Sequence, residues 1–160
     1  PDFMAAYIVN HILGGGTLSS RLYAEVREKR GLAYSVYTFL APYDHAGAFV
    51  GGVATRSDRA GEAMQLIESE LKRFAAEGPT EKELAEAKSF LVGSFALRFD
   101  TSQKISAQLL AFNLDNLGID YINKRNALIE AVTIEDVKRA AKRVFGSGGL
   151  IVATVGPLAS

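Results

Sequence analysis

The stretch from residue 14 to residue 40, GGGTLSSRLYAEVREKRGLAYSVYTFL, constrains the fold more than any other part of the chain. Three glycines, Gly14–Gly16, open it, and a charged, amphipathic helix is predicted over residues 19–29. Gly31 ends that helix, since glycine tolerates the left-handed backbone found at helix ends. Residues 32–40 are rich in aromatic and β-branched side chains, which predicts a strand.

The junction between this helix and this strand is the predicted functional site. Arg27 and Tyr34 lie seven residues apart, on either side of Gly31. The junction therefore combines a permanent cation and a phenolic hydroxyl with a tight turn. No other stretch places such a pair beside glycine-rich backbone, so we expect any chemistry of this chain to lie here.

The flanking elements predict the fold class. Residues 3–13 form an apolar, buried helix that we expect Gly14 to end, and residues 48–55 return after a turn at 42–47 to complete a β-hairpin. Hydrophobic stripes and capping signals predict five more helices after residue 58. The unbroken apolar run Gly149–Val155 predicts a final, buried strand. This order predicts an α+β fold, a two-layer α/β sandwich with a mostly antiparallel sheet covered by helices.

The composition excludes several classes of protein. At 160 residues the chain is predicted to be a single domain. Eighteen basic and eighteen acidic residues give no net charge that would favour nucleic acid, and no apolar run is long enough to span a membrane. There is no cysteine, and the only two histidines, His11 and His45, stand in no zinc motif. We therefore expect no metal ligand and no cofactor in this chain.

The glycine run has two interpretations. It could cradle a phosphate, but it lacks the glycine-lysine pair of a P-loop and no apolar strand precedes it. The alternative is a connection whose backbone approaches another group closely. A nucleotide-binding module therefore has only the glycines in its favour.

The run SSRLYAEVREKRGLAYSVYTF closely resembles a signature of the pitrilysin/insulinase family of zinc peptidases, which includes the mitochondrial processing peptidase and its bacterial relatives. The resemblance is to the C-terminal, non-zinc domain of that family, and it covers nearly the whole chain. It implies a hydrolase, a metalloendopeptidase, whose zinc is held by a partner domain or subunit in a homo- or heterodimer.

The resemblance also implies roles for individual residues. Arg27 and Tyr34 match the arginine and tyrosine that the non-zinc half supplies to the active site. There they hold a peptide carbonyl and stabilise the charge that develops during zinc-dependent hydrolysis. Gly14, Gly15 and Gly16 match a substrate-contacting glycine-rich loop, which is much shorter here.

Three further expectations follow from the same comparison. The chain begins at Pro1 and lacks the zinc half, so we expect it to be a piece of a longer protein. We expect a soluble protein of a bacterial cytoplasm or periplasm. The alternative function is a catalytically silent structural or assembly subunit of the same fold, in which Arg27 pairs with a nearby glutamate and Tyr34 packs at the end of a strand.

Overall fold

The computed structural model describes residues 2–43, 45–146 and 149–156. Within those ranges the chain forms six α-helices and two β-strands. The helices are α1 (Phe3–Asn10), α2 (Ala60–Glu77), α3 (Glu81–Gly93), α4 (Ser102–Leu114), α5 (Tyr121–Glu130) and α6 (Ile134–Phe145), and the strands are β1 (Ser35–Pro42) and β2 (Gly47–Ala54). The turn predicted over 42–47 includes residue 44, which lies outside the described residues.

Two segments between α1 and β1 are wound more widely than an α-helix. Helix α1 continues directly into a π-helical turn, His11–Gly15. After a 3₁₀ turn at Thr17–Ser19, a second π-helical segment covers Tyr23–Glu28. We call this second segment the site helix, because it carries Arg27. Such wide turns are rare in proteins and are frequently found at functional sites.

Helix α1 lies at the centre of the hydrophobic core. Its side chains Ile8 and Val9, together with Leu13 just beyond it, are completely buried. It packs against α6, β1, α5 and α3. Completely burying a side chain of this size stabilises the fold by about 1.5–3 kcal/mol. The apolar sequence of residues 3–13 therefore has its predicted role.

Capping signals in the sequence correctly locate several helix boundaries. Thr80 begins α3 with a capping box, in which its side chain and that of Glu83 exchange hydrogen bonds with each other's backbone N–H. Thr133 and Asp136 form the same arrangement at the start of α6. Gly78 ends α2 with a φ of 71°, as its position after the apolar stripe predicts.

The sheet is an antiparallel hairpin in unbroken register. Ser35 pairs with Ala54 and Pro42 with Gly47, without a bulge between them. On the inner face, Val36 and Thr38 are buried against the helices. On the outer face, the exposed rings of Tyr37 and Phe39 stack with their centres 6.3 Å apart. The predicted α+β class, with helices covering an antiparallel sheet, is confirmed.

Two predictions from local sequence are wrong. Gly14 does not end the first helix, because the chain stays helical through Gly15 and Gly16 is the residue that follows the helix. The segment Gly149–Val155 does not form a strand; it has no regular secondary structure, and Ile151 and Val155 are fully exposed. A strand needs a hydrogen-bonded neighbour, and within the described residues the sheet consists of β1 and β2 alone.

Gly14 is glycine because a side chain there would clash with β1. A Cβ atom at this position would lie 2.6 Å from Thr38 Oγ1 and 3.0 Å from the backbone nitrogen of Thr38. We expect Gly14→Ala to lower the free energy of unfolding by about 1–3 kcal/mol, the usual cost of overpacking. Urea unfolding followed by circular dichroism measures this change.

Gly61→Ala is the matched control for that experiment. Gly61 lies in the first turn of α2, and a Cβ atom there meets nothing within 4 Å. Alanine in an open helical position stabilises by up to about 1 kcal/mol relative to glycine. Equal effects of the two substitutions would contradict the close packing of Gly14 on Thr38.

Candidate functional site

A left-handed turn joins the site helix to β1. Gly31 has a φ of 59°, and its N–H donates to the Arg27 carbonyl at 2.9 Å. The N–H of Leu32 donates to the Val26 carbonyl, also at 2.9 Å. Tyr34 is then fixed at the mouth of the hairpin, because its N–H donates to the Ala54 carbonyl at 2.9 Å. The backbone around both predicted site residues is therefore hydrogen-bonded on each side of the turn.

The turn brings Arg27 and Tyr34 together. The guanidinium carbon of Arg27 lies 5.8 Å from the centre of the Tyr34 ring. Both side chains are on the surface, and Tyr34 has 83% of its area exposed. A cation and a phenol thus face solvent side by side, on either side of the tight turn at Gly31. Both groups are hydrogen-bond donors that can reach an external oxygen atom.

Tyr23 is a third member of the site, and the sequence reasoning missed it. Arg27 Nη1 donates to the Tyr23 hydroxyl at 2.5 Å, and the guanidinium carbon lies 4.8 Å from the centre of the Tyr23 ring. The two residues are four positions apart on a helix, a spacing at which side chains meet. That spacing was the signal that could have identified Tyr23.

Arg27 has no carboxylate partner among the described residues. Glu28, the adjacent residue, is exposed and forms no ion pair among the described residues, and Glu25 is instead bound by Lys29 at 2.5 Å and by Arg30 at 2.7 Å. Hydrogen bonds from Lys29 and Arg30 lower the pKa of the Glu25 carboxyl, so the carboxylate stays ionised in both ion pairs. The expectation that Arg27 pairs with a nearby glutamate, which belongs to the silent-subunit alternative, is therefore not met.

The glycine run serves packing within the chain. Gly14 is buried against Thr38, whose hydroxyl donates to Asn10 Oδ1 at 2.9 Å. A Cβ atom at Gly15 would lie 2.4 Å from Asn10 Nδ2, and one at Gly16 would lie 2.7 Å from the His11 carbonyl oxygen. The close approach that the glycines predict is thus made to neighbouring residues. Contact of Gly14–Gly16 with a substrate stays a prediction.

The described residues provide no metal site. No group of three or more histidine, aspartate or glutamate side chains among them is placed to hold a metal ion. His11 is buried, stacks on Phe90 with ring centres 5.0 Å apart, and has its pKa lowered by burial. His45 lies exposed in the hairpin turn. The residues that the structure describes therefore offer no ligand set that fits zinc. No helix in the described ranges has the length and apolar character needed to cross a membrane.

An ion pair anchors the chain just before the site helix to the helical layer. Arg21 binds both carboxylate oxygens of Glu83, at 2.5 and 2.7 Å, and its Nη2 also donates to the Gly78 carbonyl at 3.2 Å. Burial raises the pKa of Glu83, but the hydrogen bonds from Arg21 and Thr80 outweigh it and bring the pKa to about 2.

Comparisons with known proteins identify the family of this chain. The family model of the peptidase M16 inactive domain matches residues 1–91, so the chain belongs to that family. An uncharacterized zinc protease of Streptomyces coelicolor is 32% identical over 154 residues, which are 94% of this chain and 32% of that protein. A non-peptidase homologue from Helicobacter pylori is 34% identical over 120 residues, 74% of this chain and 27% of that protein.

A solved structure supports both the family and the fold. The peptidase M16 inactive domain from Pseudomonas fluorescens is 35% identical, with a TM-score of 0.81 over 90% of this chain and 34% of that one. The chain spans about a third of the length of the curated relatives that it matches. The resemblance to the pitrilysin/insulinase peptidases is therefore confirmed at the level of the family. In this family the inactive domain pairs with a zinc-bearing domain.

The Arg21–Glu83 pair predicts a pH dependence of stability. The pKa of Glu83 is depressed on folding, so its contribution is present above pH 4.5 and is lost as pH falls towards 2. After allowance for screening by solvent, we expect about 1 kcal/mol from this source. Glu83→Gln keeps the capping function of the side chain but removes its charge, so the decline between pH 4.5 and 2 should become shallower. Urea unfolding across that pH range measures it.

Glu86→Gln is the control for that prediction. Glu86 lies on the same helix, but its contact with Lys82 is 3.8 Å long and both side chains are exposed. Exposed pairs of this kind contribute little to stability. If Glu86→Gln reduced the loss of stability between pH 4.5 and 2 as much as Glu83→Gln does, the special role of the Arg21–Glu83 pair would be refuted.

Proposed function

We propose that this chain is the substrate-holding, non-zinc domain of a zinc endopeptidase and that Arg27 and Tyr34 are its contribution to the active site. Residues 1–160 would form this single domain. It would act together with a zinc-bearing domain or subunit, in a homo- or heterodimer or within one longer polypeptide. The observation that carries the proposal is an exposed arginine that has no carboxylate partner among the described residues and stands beside an exposed tyrosine.

The two side chains suit the binding of a peptide carbonyl. Arginine stays charged at every working pH and offers donors in a fixed plane, and the tyrosine hydroxyl donates one further hydrogen bond. When a peptide bond is attacked, negative charge develops on its carbonyl oxygen. Donors held in advance around that oxygen stabilise the transition state without reorganising. Arg27 and Tyr34 would act in this way on a substrate that is brought to the exposed face of the junction.

Tyr23 would position Arg27 without neutralising it. Its hydroxyl accepts a hydrogen bond from Nη1 and its ring lies beneath the guanidinium group. The remaining donors of the guanidinium stay available, because arginine has five N–H groups in all. A neutral partner is important here, since a carboxylate in the same place would cancel the charge that the transition state needs.

Substitution in the assembled enzyme tests the proposal. We expect Arg27→Ala and Tyr34→Phe each to lower kcat/KM for peptide hydrolysis by a factor of about 30 to 1,000, the cost of removing a donor to a developing charge. The measurement is steady-state cleavage of a peptide substrate, with zinc content determined in parallel. Zinc content should not change, because neither residue is a metal ligand in the proposal.

Arg30→Ala is the matched control. Arg30 is exposed at the end of the same segment, but its charge is already paired with Glu25. Its activity should stay within about twofold of the parent, because an exposed ion pair is worth little. Should Arg27→Ala and Tyr34→Phe also stay within twofold, the role assigned to the pair would be disproved.

A capture experiment separates the proposal from the silent-subunit alternative. The tagged chain, recovered in its native assembly, should carry zinc and chelator-sensitive cleavage of an unstructured peptide, together with a second domain or polypeptide. A stoichiometric partner without zinc and without cleavage would instead favour the structural subunit.

A further inference from the structure

A cavity of about 500 Å³ lies where the N-terminal part of α1 meets the 3₁₀ turn Phe95–Phe99, α4 and α5. Neither Arg27, Tyr34 nor the glycine run lines it. Its size falls within the range of about 300–1,000 Å³ that is typical of small-molecule sites. Two arginines and several aromatic rings line the cavity, and the function proposed above uses none of them.

Arg125 is a buried cation in the wall of this cavity. It is only 4% exposed, and its Nη1 donates to the Leu91 carbonyl at 2.9 Å and to Asn126 Oδ1 at 3.1 Å. In the ranges that the structure describes, no carboxylate lies within ion-pair distance of it. A buried charge without an opposite charge is costly. The described residues therefore leave the charge of the Arg125 guanidinium without an opposite charge.

Aromatic rings compensate part of that cost. The guanidinium carbon of Arg125 lies 4.3 Å from the centre of the Phe95 ring and 5.7 Å from that of Tyr7. Cation–π contacts of this kind stabilise a desolvated cation by about 1–2 kcal/mol. Both hydrogen bonds of Arg125 come from Nη1, so Nε and Nη2 have no hydrogen-bond partner among the described residues and can donate to a ligand.

A second cation lies at the rim. Arg98 is exposed, its Nη2 donates to the Tyr7 hydroxyl at 3.4 Å, and it too lacks an ion pair among the described side chains. Tyr121 completes this polar side, and burial raises the pKa of its phenol, so the hydroxyl remains a donor. The Tyr121 ring packs edge-on against Phe112, with centres 5.1 Å apart. The cavity thus offers donors and positive charge next to an aromatic wall.

We propose that this cavity binds a small monocarboxylate with an aromatic or aliphatic body. The carboxylate meets Arg125 and Arg98, and the apolar body lies against Phe95 and Phe112. Arginine matches a carboxylate through two parallel hydrogen bonds, and charge-assisted bonds are the strong ones. Asp115 also lines the cavity, and its negative charge disfavours ligands with several charges, such as phosphate esters.

Calorimetric titration of the full-length protein with 3-phenylpropanoate tests the proposal, with 3-phenylpropanamide as the uncharged analogue. The acid should bind and the amide should bind at least about tenfold more weakly, because it loses the charge-assisted bonds. Binding should also weaken with added salt. Failure of the acid to bind, or equal binding of acid and amide, overturns the proposal.

Variants locate the binding in the cavity. Arg98→Gln should weaken binding of 3-phenylpropanoate by about tenfold, whereas Arg56→Gln, at a distant surface pair with Asp58, should not change it. Arg125→Lys keeps the buried charge but removes the planar fork, and it should weaken binding more than Arg98→Gln. If Arg125→Lys does not fold, Arg98→Gln alone decides. Unchanged binding by Arg98→Gln refutes the site.

Two further experiments identify the source of the ligand and test whether the cavity binds it independently of the active site. N-acetylalanylphenylalanine presents the same chemistry as a peptide C-terminus, so tighter binding than 3-phenylpropanoate indicates a peptide end, and weaker binding indicates a free acid. Binding should persist in Arg27→Ala and after chelation of zinc. Loss of binding in Arg27→Ala would place the ligand at the peptide site and disprove a separate one.

Discussion

The ion pair between Arg21 and Glu83 is the contact on which the placement of the site depends. One guanidinium fork holds both oxygens of one carboxylate, and the same guanidinium donates to the carbonyl of Gly78 and lies 4.7 Å from the centre of the Phe74 ring. Glu83 meanwhile caps α3 through Thr80. The end of α2, the start of α3 and the approach to the site helix therefore meet at one pair of side chains. The pair therefore links the helical layer to the segment that leads into the site helix.

The cations in and beside the site helix have two different roles. Lys29 and Arg30 share Glu25, and Arg21 is committed to Glu83, so three cations of this region stabilise structure. Arg27 alone among these four is held by a neutral phenol. A hydroxyl orients the guanidinium but leaves its charge uncompensated. The segment thus separates the residues that keep it folded from the one that can act on another molecule.

Local signals predicted the parts of this structure that local interactions determine. The capping box at Thr80 and the turn at Gly31 depend on residues close in sequence, and both are where the sequence places them. Gly14 was misread because its packing on Thr38 of β1 decides its role. The strand predicted over Gly149–Val155 failed for a related reason, since a strand depends on a neighbour that periodicity cannot supply. Arg125 lies in a polar helix, and only tertiary packing reveals that it is buried beside a cavity.

The wide winding of the site helix has a consequence for how this sequence can change over time. A π-helical turn holds one residue more than an α-helical turn, and each residue of an α-helix rotates the chain by about 100°. Loss of one residue between Tyr23 and Glu28 would restore ordinary winding and swing the following side chains to another face. Substitutions at exposed positions do not change the face on which the following side chains lie. The site helix should therefore tolerate substitutions far better than insertions or deletions. Selection should act more strongly on its length than on the identity of most of its residues.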